Sequence, residues 1–82
     1  MKEYKVKLFA QLKDRAGQSS WSLKSEQVLR TSELLESFFA EFNDLEKLKA
    51  ITRIAVNEEF CFEDKELTGD EEIALIPPVS GG

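Results

Sequence analysis

Between residues 31 and 42 apolar side chains recur at spacings of three and four: Leu34, Leu35, Phe38, Phe39 and Phe42. That stripe, the only long helical pattern in the chain, is broad enough to need a sheet beneath it. The flanking segments have a period of two instead. From Tyr4 onward, Tyr4, Val6, Leu8 and Ala10 fall on one face, with Lys5, Lys7 and Phe9 on the other. This is the signature of a half-buried strand. With 82 residues in all, one helix must cover one face of one sheet, which is an α+β domain.

The remaining segments fill in the order. QLKDRAG reads as a short helical turn closed by Gly17. SSWSLKS alternates again, with Trp21 and Leu23 inward, and lies near enough to the first strand to pair as a hairpin. Thr31 or Ser32 is the expected N-cap of the main helix, with Glu33 in its first turn. The helix is expected to end at Asn43-Asp44, and Leu45, Leu48 and Ile51 to form a crossing segment tucked under an edge. ITRIAVN is a strand with Ile54 and Val56 inward. EEFCF follows a tight turn at Asn57-Glu58, LTGDEE carries a Gly-Asp turn, and EIALIP is the last strand. The resulting β-β-α-β-β-β order resembles the β-grasp arrangement of ubiquitin-like domains, a mixed sheet with one main helix across one face. Residues 1–82 are expected to form this single domain, with a flexible tail over 77–82.

Charge and residue inventory exclude several functions. Sixteen acidic residues against eleven basic ones give a net charge of −5, which disfavours a nucleic-acid partner. A partner or channel lined with Lys and Arg fits better. Histidine-based acid–base catalysis is excluded because there is no histidine, and the single cysteine rules out a disulfide framework. A classical zinc site has too few ligands. Cys61, in mid-strand, is expected to be structural. No apolar run approaches the ~20 residues of a membrane span, and the start MKEYKVKLF lacks a signal-peptide pattern. The expected location is cytoplasmic.

Two strands break their alternation in the same way. Phe9 lies on the face of Lys5 and Lys7, and Ile76 on the face opposite Ile73 and Leu75. In a β-grasp sheet the first and last strands are central neighbours. Phe9 and Ile76 are therefore expected to meet on the face the helix leaves uncovered, with Phe60 extending the patch. Such a contiguous apolar patch marks a partner surface.

Beside it the sequence runs IALIPPVSGG. Pro77 and Pro78 end the ladder and hold the chain extended, so residues 77–82 reach at most ~20 Å. Without Cβ atoms, Gly81 and Gly82 pass where backbone must closely approach another protein. A rigid stalk with a thin tip suits insertion into a channel. The carboxylate of Gly82 is the one chemically exceptional group there. It is a poor electrophile; attaching AMP through ATP cleavage would supply a leaving group, and a sulfur nucleophile could then form a thiocarboxylate.

The stretches VKLFAQLKDRAG, AVN at Ala55–Asn57 and ELTGDEEIALIPPVSGG resemble the small subunit of molybdopterin synthase, the MoaD family. The resemblance implies that an E1-like adenylyltransferase adenylates Gly82, which becomes a thiocarboxylate. It implies tail insertion through Pro77, Pro78, Val79, Ser80 and Gly81 into the large synthase subunit. Sulfur then passes to a cyclic pyranopterin monophosphate to build the molybdopterin dithiolene. Phe9, Phe60 and Ile76 would form the docking patch. The family implies two small and two large subunits, no cofactor bound to this chain, and catalytic residues on the large subunit. The alternative is the same carrier chemistry serving thiamine, tRNA thiolation or protein modification. A third reading, a plain β-grasp interaction domain, makes the glycines passive.

Overall fold

The alternating residues at the start of the chain form β1 (Lys2–Leu8) in the computed structural model, which describes residues 2–78. Tyr4, Val6 and Leu8 are buried while Lys5 and Lys7 are exposed. Alternation stops at Phe9, because Ala10 turns the backbone with a left-handed φ of 51°. Ala10, expected to continue the inward face, is instead exposed at the start of α1 (Ala10–Ala16). Gly17 closes α1 with a φ of 74°, its N–H donating to the Lys13 carbonyl, as the sequence predicts. The chain returns through β2 (Ser20–Ser25), antiparallel to β1 with Val6 opposite Trp21.

Next come β3 (Leu29–Arg30) and the main helix α2 (Thr31–Glu41). A 3-10 segment, Asn43–Ile51, leads to β4 (Arg53–Val56), β5 (Glu59–Cys61), β6 (Glu66–Leu67) and β7 (Ile73–Ile76). The five-stranded sheet runs β2-β1-β7-β4-β5, with β1 and β7 parallel at its middle and the other pairs antiparallel. β3 and β6 form a separate two-stranded pair. This is the β-grasp architecture.

The stripe of α2 packs as its spacing predicts. Leu34, Phe38 and Phe39 are buried, and Leu35 and Phe42 partly so. Phe38 meets Trp21 of β2 edge-on, with ring centroids 5.2 Å apart, and also contacts Phe39 and Phe42. Tyr4 is fully buried, so its hydroxyl needs partners. It donates to the Leu67 carbonyl at 3.2 Å and accepts from the Leu29 N–H at 3.1 Å, tying β1 to the β3–β6 pair.

Two further local expectations change. The N-cap is Arg30 rather than Thr31 or Ser32. Carboxylates supply the capping: Glu33 accepts from the Arg30 N–H at 2.9 Å, and Asp64, distant in sequence, accepts from the Ser32 N–H at 3.1 Å. The Thr31 hydroxyl is used elsewhere, accepting from the Lys65 N–H at 3.2 Å. In the 3-10 segment Leu45 is buried and Leu48 partly buried, but Ile51 remains 49% exposed. Ile51 borders Ile76, Pro77 and Pro78 at the sheet end instead of joining the core. No helix among the described residues is long and apolar enough to cross a membrane.

Candidate functional site

The sheet face opposite α2 carries the candidate docking surface. Across it the register aligns Lys7, Ala74, Ala55 and Phe60 in one row. The two central side chains are methyl groups, so larger neighbours rise around a hollow. Phe9, just past β1, Phe60 on β5 and Ile76 at the end of β7 line the same depression of about 450 Å³. Phe9 is 44% and Phe60 55% exposed, while Ala74 and Ile76 are half-buried. All three side chains expected in a patch are thus brought together. Ala55 and Ala74 form its floor, and their small size is why the surface is concave.

Lys7, Glu58 and Glu72 border the depression on its polar side. Lys7 lies 3.8 Å from Glu72, both side chains well exposed, so the pair shapes local charge more than stability. The turn feeding β5 is tight, with Asn57 and Glu58 at φ 53° and 70°, as a two-residue hairpin requires. The Asn57 side-chain oxygen accepts from the Glu72 N–H at 3.0 Å, and the Asn57 N–H donates to the Glu72 carbonyl at 2.7 Å. That turn is therefore clamped to the entry of β7.

The loop before β7 is fixed by a second carboxylate. Burial disfavours the charge of Glu71, but N–H donation from Thr68 and Gly69 outweighs it, and its carboxyl lies below the usual value. Gly69 holds a φ of 104°, and a Cβ there would sit 3.3 Å from the Lys2 Cβ. The Gly-Asp turn expected at LTGDEE thus needs its glycine for both conformation and space.

Beyond β7, Pro77 is buried and Pro78 exposed. The expected tail over 77–82 therefore begins with a residue packed into the domain. A second depression, about 520 Å³, includes Ile51, Arg53, Phe60, Ile76, Pro77 and Pro78. It shares Phe60 and Ile76 with the first, so the chain leaves the sheet from the edge of one continuous apolar surface. Val79, Ser80, Gly81 and Gly82, the rest of the expected inserting tail, lie outside the described residues.

Cys61 stands opposite Ile54 in the β4–β5 pair, on the helix-covered face. It packs against the core, and its thiol donates to the Glu63 carbonyl at 3.2 Å. That placement agrees with a structural cysteine. Two surface residues escape the sequence reading: Phe62, 75% exposed, and Arg53, whose guanidinium lies 5.4 Å over the Phe62 ring. Phe62 lies just past the end of β5, with its ring centroid 6.2 Å from that of Phe60.

A mixed five-stranded sheet covered by one helix, with a hollow apolar face continuous with the exit of its last strand, defines a ubiquitin-like domain. The ThiS family matches residues 6–82. The molybdopterin synthase sulfur carrier subunit of Arabidopsis thaliana is 32% identical over 80 residues, spanning 98% of this chain and 83% of its own. The chain belongs to the ThiS family, among the small sulfur carrier subunits it resembles in sequence. Two solved structures share the fold. The small archaeal modifier protein SAMP1 of Haloferax volcanii superposes with a TM-score of 0.82 at 24% identity, over 98% of this chain and 99% of its own. A complex of subunits 1 and 2 of the molybdopterin-converting factor of Helicobacter pylori contains a chain with TM-score 0.69 at 23% identity, over 98% and 99% of the two chains.

Proposed function

We propose that this chain is the sulfur carrier subunit of a molybdopterin synthase. The observation that carries the reading is the continuity between the apolar depression and the root of the tail. Docking through Phe9, Phe60 and Ile76 fixes the carrier on its partner, and the same contact sets the point, at Pro77 and Pro78, where the chain leaves the sheet. The sulfur carrier subunit of Arabidopsis thaliana and the two-subunit Helicobacter pylori complex support both the role and a large-subunit partner.

In this reading the carboxylate of Gly82 attacks the α-phosphorus of ATP on an E1-like adenylyltransferase, releasing pyrophosphate and leaving an acyl adenylate. A sulfur nucleophile displaces AMP and gives the thiocarboxylate. In the large subunit that sulfur passes to the cyclic pyranopterin monophosphate, and Gly82 returns to a carboxylate as one oxygen from water replaces the sulfur. This chain supplies reach and sulfur, and the large subunit supplies the catalytic side chains. Two carriers and two large subunits make one synthase, in the cytoplasm.

Intact mass measured after incubation with the adenylyltransferase, ATP and a sulfur donor tests the chemistry. The expected shift is that of one oxygen replaced by sulfur at Gly82, followed by reversal when the large subunit and precursor are added. A thiocarboxylated chain that supports no dithiolene formation would remove the synthase reading. The fold shared with an archaeal modifier protein favours a second reading, in which the activated carboxyl is passed to a lysine amine of another protein. Covalent adducts in place of sulfur transfer would select it.

A further inference from the structure

The depression does not end at Phe60 and Ile76. Arg53 faces Ile76 across the β4–β7 pair, at the point where the chain leaves the sheet. Phe62 lies beyond it, its ring 6.2 Å from that of Phe60 and capped by the Arg53 guanidinium. Phe62 is 75% exposed, the most exposed large apolar side chain among the described residues. A cation–π contact over the ring face leaves the guanidinium N–H groups able to donate to an acceptor. Among the described residues no carboxylate lies within ion-pair distance of Arg53, whereas Lys7 and Arg30 both have acidic neighbours.

We propose that Arg53 and Phe62 form a specificity element of the docking face, matched on the large synthase subunit by a carboxylate over Arg53 and an apolar wall against Phe62. This rests on the synthase reading and on the continuity of the pair with the depression. The sign of the charge decides the chemistry of the occupant. A carrier of net charge −5 suits a partner that is basic on the whole. A basic side chain facing Arg53 would be repelled, so the position selects one local acidic group and rejects surfaces lacking it. Arg and aromatic residues are also the types that dominate binding energy when the surrounding contacts exclude water.

The test measures binding to the purified large subunit from the same source, with thermal unfolding of each variant as a control. Arg53→Glu and Phe62→Ala are each expected to weaken the Kd about tenfold or more without shifting the unfolding transition in proportion. Added salt should weaken the unchanged protein more than Arg53→Gln, because only the former carries the ion pair. Ile76→Lys serves as the reference for the underlying docking reading. If Ile76→Lys abolishes binding while Arg53→Glu and Phe62→Ala bind normally, the specificity element is overturned and the docking face stands. If Ile76→Lys also binds normally, the face itself is misassigned and the inference falls with it.

Discussion

Asp64 holds more of the fold than its exposed position suggests. It accepts from the Arg30 guanidinium at 2.8 Å and from the Ser32 N–H at 3.1 Å, joining the β5–β6 connection to the start of α2. The hydrogen bond from Arg30, aided by that from Ser32, lowers its pKa to about 2 and raises that of Arg30. A carboxyl depressed on folding stabilises the native state fully above its unfolded value of about 3.9 and loses that contribution as pH falls through the folded value. Stability should therefore decline between about pH 4 and pH 2. Asp64→Asn should lower the Tm at pH 7 and flatten this decline, the two proteins converging near pH 2. Thermal unfolding across that range checks it; parallel curves would mean that Asp64 titrates alike in both states.

At the scale of elements, strong periodicity decides what can be read from sequence alone. β1, β2, α2, β4 and β7 were legible because each repeats its pattern over enough residues to fix a face. β3 and β6 have two residues each, too few for any period, and are placed by the buried Tyr4 hydroxyl and the Thr31–Asp64 contacts, which are long-range. The α2 cap was half hidden for the same reason: Glu33 lies in the first turn, but the second capping carboxylate, Asp64, lies thirty-two positions from Ser32. Phe9 and Ile76 were legible as breaks in alternation and Phe60 as an extension of their patch, but the hollow between them depends on two alanines aligned by cross-strand register. Phe38 is the joint of this assembly, fully buried and touching Trp21, Phe39 and Phe42. Phe38→Ala should cost about 3–5 kcal/mol, a large part of the ~5–15 kcal/mol that stabilises a typical domain. Denaturant unfolding measures this, and a loss below ~1 kcal/mol would show that the aromatic cluster repacks around the gap.

For the whole molecule, the proposed function divides labour between a surface that binds and a tip that reacts. The depression belongs to a sheet clamped at both ends of β7, by the Asn57–Glu72 hydrogen bonds before it and by the buried Pro77 after it. The face is thus rigid, and its position fixes where residues beyond Pro78 begin. Binding and chemistry should therefore separate under mutation. Ile76→Lys places a charge in the docking hollow and should weaken large-subunit binding by ~2 kcal/mol or more. Removing Gly82, or extending the chain past it, should leave binding largely intact and abolish dithiolene formation. One residue displaces the reacting carbon by about 3.3–3.6 Å, and ~1 Å of misplacement already costs about a hundredfold in rate. Gly81→Val should fail differently, keeping the reach but adding a branched Cβ to the segment proposed to thread a narrow channel. Product formed from the pyranopterin precursor, measured beside the affinity of each variant, resolves the two roles. Near-normal sulfur transfer by a carrier without Gly82 would show that its carboxyl carbon is not the site of the chemistry, however well the sheet face docks.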